Sequence, residues 1–154
     1  MKKIIIAIDS FKGCLTSAEA GKAAEKGIKS INPFCHTSVI PIADGGEGLL
    51  DVLITATKGK YITLSAHGPL MKMAKTHYGL SGNGRTAIIE MAAISGLPLV
   101  PIEQRNPMLT TTFGTGELIK DALNKGCRNF IIGIGGSATN DAGLGMLQAL
   151  GFRF

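Results

Sequence analysis

Residues 129–146 read NFIIGIGGSATNDAGLGM, and this stretch decides the fold class. The segment 129–134 is an apolar run without polar alternation, which is typical of a parallel strand covered on both faces. Gly135 and Gly136 end the run, and a helix is predicted over about 142–150. A strand that leads through a glycine-rich loop into a helix predicts an α/β fold with a parallel sheet.

The same order of strand, loop and helix occurs twice near the beginning of the sequence. An apolar strand is predicted at 3–8, followed by DSFKG at 9–13 and a helix opened by the T-x-x-E capping box at Thr16. A second strand at 38–42 leads through ADGGEG at 43–48 into an apolar helical segment. These two units extend the predicted α/β pattern.

The pattern changes between residues 60 and 108, where short strands and turn signals replace the longer units. We therefore expect 1–59 and 109–154 to form a doubly wound, flavodoxin- or Rossmann-like parallel sheet with its helices. We expect 60–108 to begin a second, smaller α/β domain that is β-rich and inserted into the first. Three long parallel strands are few for an open sheet, so the first domain is predicted to be incomplete and the chain truncated.

Composition narrows the classes of function. The formal net charge is +5, but the basic residues are scattered and aromatic residues make up only 5% of the chain, so few side chains can stack on bases. A small anionic substrate is therefore favoured over nucleic acid. No apolar run reaches the length of a signal peptide or membrane span, and the three cysteines lack C-x-x-C spacing. We predict a cytoplasmic protein without a membrane partner, either monomeric or a homo-oligomer.

Three predicted loops between a strand and a helix carry the unusual residues: DSFKG at 9–13, ADGGEG at 43–48 and GGSATNDAG at 135–143. In an open parallel sheet such loops emerge at the carboxyl ends of the strands, where ligands bind. We therefore expect the three loops to meet in one crevice.

The residue types in these loops suit phosphoryl transfer. Consecutive glycines let backbone N–H groups approach phosphate oxygens, and a helix N-terminus beyond them favours negative charge. Lys12 supplies a point charge for a carboxylate or phosphate. Carboxylate oxygens are ligands that Mg²⁺ shares with substrate phosphates, and the candidates are Asp9, Asp44, Glu47 and Asp141. Positioning and charge neutralisation of this kind carry most of the catalysis in phosphoryl transfer.

Each candidate has a structural alternative. Asn140 and Asp141 precede a predicted helix, where such residues often act only as N-caps. Glu47 can complement a helix dipole without touching a ligand. Lys12 can be a solvated surface lysine.

The glycine-rich loop also allows a different function. Gly133, Gly135 and Ala138 satisfy G-x-G-x-x-A, one form of the dinucleotide-binding fingerprint. A dinucleotide-binding domain of an oxidoreductase therefore stays as one alternative, and a non-catalytic anion-binding fragment as another. The polar insertion at 139–141 argues against the fingerprint helix.

At these same loops the sequence resembles the bacterial glycerate kinase family. The matching segments, in order along nearly the whole chain, are IAIDSFKGCLTSAEA, PIADGGEGLLDVL, the Gly68-Pro69 pair, AIIEMAAISGLPLV, TTFGTGELI and IIGIGGSATNDAGLGMLQALG. The resemblance implies a two-domain enzyme that transfers the γ-phosphoryl group of ATP to a hydroxyl of D-glycerate with Mg²⁺, giving 2-phosphoglycerate. It also implies that this chain is the N-terminal portion of a protein more than twice as long, and is incomplete as an enzyme.

The resemblance also implies roles for individual residues. The catalytic residues are expected to be Lys12, Asp44 and Asp141, and the metal ligands Asp44 and Asp141. The residues expected to bind substrate or nucleotide are Asp9, Ser10, Gly45, Gly46, Glu47, Gly135, Gly136, Ser137, Thr139 and Asn140. The catalytic base among the carboxylates is left unassigned.

Overall fold

Strands and helices alternate along much of the chain, which confirms the predicted α/β class. The structure, a computed structural model, describes residues 3–154. Its strands and α-helices are β1 (Lys3–Ile6), α1 (Ser17–Ile31), β2 (His36–Val39), α2 (Leu49–Thr57), β3 (Lys60–His67), β4 (Met73–Leu80), β5 (Thr86–Glu90), α3 (Ala92–Ser95), α4 (Phe113–Asn124), β6 (Asn129–Gly133) and α5 (Leu144–Leu150). Two short 3-10 helices, Leu97–Leu99 and Ile102–Gln104, lie between α3 and α4.

The strands belong to two sheets. β1 and β2 form a parallel pair in which Ile5 lies opposite Ser38. The second sheet has the order β3-β4-β5-β6, in which β4 is antiparallel to both β3 and β5, and β6 is parallel to β5. Within residues 3–154, β6 therefore pairs with β5 and not with β1 or β2.

The pairing of β5 with β6 follows from the connection between them. Parallel neighbours need a crossover of a dozen or more residues, and α3, the 3-10 helices and α4 supply it. The sheet thus joins strands from both predicted segments, 60–108 and 109–154. The division into 1–59 with 109–154 and an inserted 60–108 stays a prediction.

β5 is the most buried strand because helices cover both of its faces. Successive side chains point to opposite faces of a strand. Ile89 joins the main core, where Leu118 and Ala122 of α4 are fully buried, while Ile88 packs with Leu50 of α2 on the other side. Burial on both faces explains the three consecutive apolar residues in the middle of β5, Ala87, Ile88 and Ile89.

The predicted capping box of α1 is confirmed. The Thr16 hydroxyl accepts a hydrogen bond from the backbone N–H of Glu19 at 3.2 Å, and the Glu19 carboxylate accepts one from the Thr16 N–H at 2.9 Å. Two backbone donors at the start of the helix are thereby satisfied. None of the helices within 3–154 combines the length and apolar character needed to cross a membrane.

Candidate functional site

The ADGGEG loop and the loop after β6 touch each other through their backbones. The Gly135 N–H donates to the Gly45 carbonyl at 3.3 Å. A Cβ on Gly135 would lie 2.7 Å from the Gly46 Cα, and a Cβ on Gly133 would lie 2.6 Å from the Gly45 oxygen. Such distances exclude any side chain, so glycine is required for the approach. Two of the three predicted loops therefore meet, although their strands belong to different sheets.

The ADGGEG loop is organised by a local turn. Asp44 Oδ1 accepts a hydrogen bond from the Gly46 N–H at 3.0 Å. Gly45 has a φ of +93°, which lies in the left-handed region where glycine is favoured. Asp44 itself is exposed, and its second oxygen has no hydrogen-bond partner among residues 3–154. That oxygen is free to meet a ligand.

Glu90, at the end of β5, completes this loop although sequence reasoning did not single it out. Gly48, the N-cap of α2, has no side chain, and Glu90 Oε1 instead accepts a hydrogen bond from the Leu50 N–H at 2.7 Å. Burial raises the pKa of the Glu90 carboxyl, and hydrogen bonds from the Leu50 and Gly48 N–H groups only partly oppose this effect. The available signal was a lone carboxylate directly after the apolar residues Ala87, Ile88 and Ile89 of a buried strand.

A cavity of about 450 Å³ lies between the DSFKG loop and the ADGGEG loop. We call it the Lys12 cavity. Both loops line it, together with the start of α1, part of α2 and the strands β4 and β5. Its ionisable lining residues are Lys12, Glu19, Glu47, Asp51, His77 and Glu90. The DSFKG loop is therefore brought to the ADGGEG loop, as predicted, and the cavity that they share is predominantly acidic.

Lys12 is the one lysine of the described part of the chain that lines this cavity. It is exposed and forms no ion pair with any carboxylate among residues 3–154, so its ammonium group is available to an anion. Ser10 also lines the cavity. Asp9 lies outside the lining and accepts a hydrogen bond from the Ser10 N–H at 2.6 Å. Asp9 thus shapes the loop that presents Lys12.

The loop after β6 is held against α3. The Leu97 N–H donates to the Gly136 carbonyl and the Ala138 N–H donates to the Ser95 carbonyl, both at 2.9 Å. The Ser137 and Thr139 hydroxyls are hydrogen-bonded to each other at 2.8 Å. These contacts turn the loop away from the Lys12 cavity and toward a second cavity beside the 3-10 helices.

The path of the loop after β6 argues against the dinucleotide-binding alternative. In a dinucleotide-binding turn the glycine-rich loop opens a helix whose N-terminus receives the pyrophosphate. Here α5 begins only at Leu144, and Ala138 is hydrogen-bonded to α3 instead. The G-x-G-x-x-A spacing therefore does not have the geometry of the fingerprint.

Asp141 organises the starts of two helices. Its carboxylate accepts hydrogen bonds from the Thr112 N–H and hydroxyl at 2.8 Å, from the Gly143 and Gly145 N–H groups at 3.1 Å, and from the Thr111 hydroxyl at 3.3 Å. Burial acts to raise the pKa of Asp141, but these hydrogen bonds outweigh it and lower the pKa. The capping alternative for Asp141 thus has direct geometric support, while Asn140 is exposed beside it.

The predicted metal ligands differ in what their oxygens contact. No cluster of three or more histidine, cysteine, aspartate or glutamate side chains suitable for a metal occurs within the described part of the chain. The Asp141 carboxylate is occupied by donors from its own loops, whereas Asp44 keeps one oxygen open. Mg²⁺ is commonly held by only one or two carboxylates together with waters and substrate phosphates. Asp44 fits that arrangement and Asp141 does not.

Comparison with known proteins decides the family. A sequence profile described as the glycerate kinase family matches residues 4–154. The chain belongs to the glycerate kinase family. This membership agrees with the resemblance carried by the DSFKG, ADGGEG and GGSATND segments.

Individual glycerate kinases are closely similar over the same region. Glycerate kinase of Haemophilus influenzae is 57% identical over 151 residues, and glycerate 2-kinase of Escherichia coli is 53% identical over 151 residues; each alignment covers 98% of this chain and 40% of the relative. A crystal structure from Salmonella typhimurium LT2, named as a glycerate kinase 2, superposes with a TM-score of 0.86 at 51% identity, covering 97% of this chain and 40% of that one. The chain spans about 40% of the length of the curated relatives that it matches.

Proposed function

We propose that the protein phosphorylates a hydroxyl of D-glycerate with the γ-phosphoryl group of ATP, giving 2-phosphoglycerate. Family membership supports this activity, and the related proteins carry the names glycerate kinase and glycerate 2-kinase. The observation that carries the proposal is the backbone contact between Gly135 and Gly45, directly beside the Lys12 cavity. The contact joins two glycine-rich backbones, and the cavity that begins at Glu47, two residues from Gly45, supplies a free lysine and several carboxylates.

The proposed chemistry depends on positioning and charge. In phosphoryl transfer the protein aligns the attacking hydroxyl with the phosphate and neutralises charge on the transferring group. Lys12 is the residue in the DSFKG loop that can bind an anionic oxygen. Glu47, Asp51 and Glu90 line the same cavity, so an anion that enters it needs a cationic partner of its own.

Mg²⁺ would supply that partner. Asp44 is the residue proposed to hold it, because one of its oxygens is uncommitted; Asp44 does not itself line the cavity, but it lies three residues before Glu47, which does. When bound, the ion neutralises phosphate charge and orients the transferred group. Asp141 enters the proposal as the residue that holds the starts of α4 and α5 in place rather than as a metal ligand.

Glu90 is proposed to exchange a proton with the substrate hydroxyl. A general base works best when its pKa approaches the operating pH, and burial shifts Glu90 in that direction. It lines the Lys12 cavity and is held in place by the Leu50 N–H. The other carboxylates of the cavity, Glu19, Glu47 and Asp51, are exposed.

A coupled assay tests the proposal. The protein expressed from its complete natural reading frame is incubated with D-glycerate, ATP and Mg²⁺, and ADP release is followed with and without D-glycerate. Asp44→Asn removes the open carboxylate oxygen and should abolish most of the turnover. Glu103→Gln makes the same carboxylate-to-amide change at an exposed site outside both cavities and should leave turnover unchanged. Wild-type turnover no higher than that of Asp44→Asn would refute the proposal.

Lys12→Ala separates substrate binding from chemistry. If Lys12 binds the anion equally in the ground state and the transition state, KM rises and kcat stays the same. Unchanged kcat and KM would place Lys12 outside the site. A cytoplasmic location, and partners restricted to D-glycerate and ATP, belong to the same proposal.

A further inference from the structure

A second cavity, of about 280 Å³, lies beside the loop after β6. We call it the Arg105 cavity. Its polar lining residues are Arg105, Asn106, Thr110, Ser137 and Thr139, and the remaining lining residues are apolar. No aspartate or glutamate among residues 3–154 lines it, whereas the Lys12 cavity contains several. Its electrostatic character is therefore opposite to that of the Lys12 cavity.

The guanidinium of Arg105 is largely uncommitted. Its Nε donates to the Val100 carbonyl at 3.3 Å, a long hydrogen bond that orients the side chain. Its two terminal amino groups have no hydrogen-bond or ion-pair partner within residues 3–154. A planar guanidinium with both terminal groups open matches a carboxylate or phosphate through two parallel hydrogen bonds.

Hydroxyl groups in the same cavity add a further donor. Ser137 Oγ and Thr139 Oγ1 are 2.8 Å apart, so one hydroxyl donates to the other. The hydroxyl that accepts keeps its own proton, which is available to a bound oxygen. The Thr110 hydroxyl donates to the Ala138 carbonyl at 2.8 Å and holds this part of the loop in position.

We propose that the Arg105 cavity binds an oxyanion group, with Arg105 forming two hydrogen bonds to it and the Ser137–Thr139 pair donating a third. The identity of the anion rests on the proposed function: it is the carboxylate of the hydroxy acid or a phosphate of the nucleotide. The two share the same chemistry of recognition. Either way, the two cavities are linked through the Gly135–Gly45 contact, and the Arg105 cavity differs from the Lys12 cavity in placing no carboxylate of residues 3–154 beside a bound anion.

Direct binding measurements test the site without relying on turnover. Isothermal titration calorimetry of the protein from its complete reading frame would use D-glycerate, ATP and inorganic phosphate as separate probes. Arg105→Met should weaken binding of at least one of them by roughly tenfold to a hundredfold, because charge-assisted hydrogen bonds are lost. Arg105→Lys keeps the positive charge but cannot form the two parallel hydrogen bonds of a guanidinium, so it should show an intermediate loss of affinity.

Arg85→Met is the matched control. Arg85 is an exposed arginine that precedes β5, and it lines neither cavity. The substitution removes the same charge and should change none of the affinities. Ser137→Ala provides an independent variant that leaves Arg105 intact, and it should weaken the same probe by several-fold. Circular dichroism of each variant checks that folding is retained.

The probes distinguish the sources of the anion. A loss of affinity confined to D-glycerate supports a carboxylate site, and a loss confined to ATP and phosphate supports a phosphate site. Equal affinities of folded Arg105→Met, Arg105→Lys and wild type for all three probes would overturn the proposal. If the wild type shows no glycerate turnover, the proposed function fails, but the phosphate titrations still support or overturn the oxyanion site.

Discussion

Replacing Gly135 by alanine tests the contact that brings the two glycine-rich loops together. The added Cβ would lie 2.7 Å from the Gly46 Cα, 3.2 Å from the Gly46 nitrogen and 3.5 Å from the Gly45 oxygen. Ordinary van der Waals contact begins at 3.4 Å, and the nearest atom belongs to backbone, which cannot rotate away. The loops must therefore separate by several tenths of an ångström, and the Gly135–Gly45 hydrogen bond, already 3.3 Å long, should break.

The expected cost is about 1–3 kcal/mol of unfolding free energy, as for other insertions into a close-packed contact. For a chain of this size, each kcal/mol corresponds to a shift of roughly 2–4 °C in Tm. Urea unfolding followed by far-UV circular dichroism is a suitable assay, because the chain has no tryptophan for fluorescence. The m-value should be unchanged if only the stability differs.

Gly27→Ala is the matched control. Gly27 lies inside α1, and a Cβ there would meet no atom within 4 Å. Alanine is favoured over glycine in a helix interior by roughly 0.5–1 kcal/mol, so this variant should be stabilised. The same chemical change is thus expected to have opposite signs at the two positions. If Gly135→Ala is as stable as the wild type while Gly27→Ala gains stability, the loop contact does not exist.

Three further substitutions probe single interactions. Thr16→Ala should lower the unfolding free energy by about 1 kcal/mol, because the capping box of α1 is lost; a Thr16→Ser variant as unstable as Thr16→Ala would contradict this reason. Asp141→Asn should lower it by about 2–3 kcal/mol at pH 7, because several N–H and O–H donors lose a charged acceptor. The pKa of Asp141 is lowered in the folded protein, so this stabilisation is present above the pKa of the unfolded chain and is lost as the pH falls through the folded pKa. The unfolding free energies of wild type and Asp141→Asn, measured by urea titration, should therefore converge at acidic pH. Glu90→Gln keeps an acceptor for the Leu50 N–H but cannot ionise. Burial raises the pKa of Glu90 in the folded protein. The unfolding free energy of wild type should therefore fall relative to that of Glu90→Gln as the pH rises from below 4.5 through the folded pKa. Parallel curves of unfolding free energy against pH for the two proteins would refute this reasoning.

Local signals predicted most of the individual elements. The capping box placed the start of α1, and the apolar helical segment expected after ADGGEG is α2, whereas the second strand, expected at 38–42, lies at His36–Val39. The apolar spacing of Leu118, Ile119 and Ala122 predicts a helix from about residue 116, whereas α4 begins at Phe113. Its first turns contain Gly114 and Gly116, which local propensity disfavours in helices. In the structure a Cβ at either position would overlap a carbonyl oxygen, of His67 or of Met146, so close packing explains these glycines.

The partners of the strands could not be predicted in the same way. The apolar run of β6 suits a buried parallel strand, but nothing in it specifies whether β1, β2 or β5 is its neighbour. That choice depends on long-range contacts and on the crossover through α4, which brings β6 alongside β5. The expected meeting of the loops was based on a shared sheet edge. The ADGGEG loop and the loop after β6 do meet, but through glycine backbones from two sheets.

Burial explains which functional residues the sequence missed. Asp44, Asp141 and Glu90 are all carboxylates, and their spacing along the chain does not distinguish an open oxygen from one enclosed by donors. Asp141 is surrounded by N–H groups of two helix starts that are distant in sequence. Glu90 gains its raised pKa from packing around the end of β5. Both properties arise from tertiary structure, so the sequence could predict candidate carboxylates but not the environment of each; the predicted list of site residues stays a prediction.

The Lys12 cavity and the Arg105 cavity are connected by short segments, so Gly135→Ala and Arg105→Met should differ in their effects on activity. Gly45 and Glu47 are two residues apart, as are Gly135 and Ser137, and the contact between Gly45 and Gly135 links the segments. Moving the glycine pair apart should therefore disturb ligands at both cavities, whereas Arg105→Met removes one side chain from one cavity. If phosphoryl transfer requires groups held in both, Gly135→Ala should lower kcat as well as raise KM, because alignment between the reacting groups is lost. Arg105→Met should act mainly on KM for one substrate.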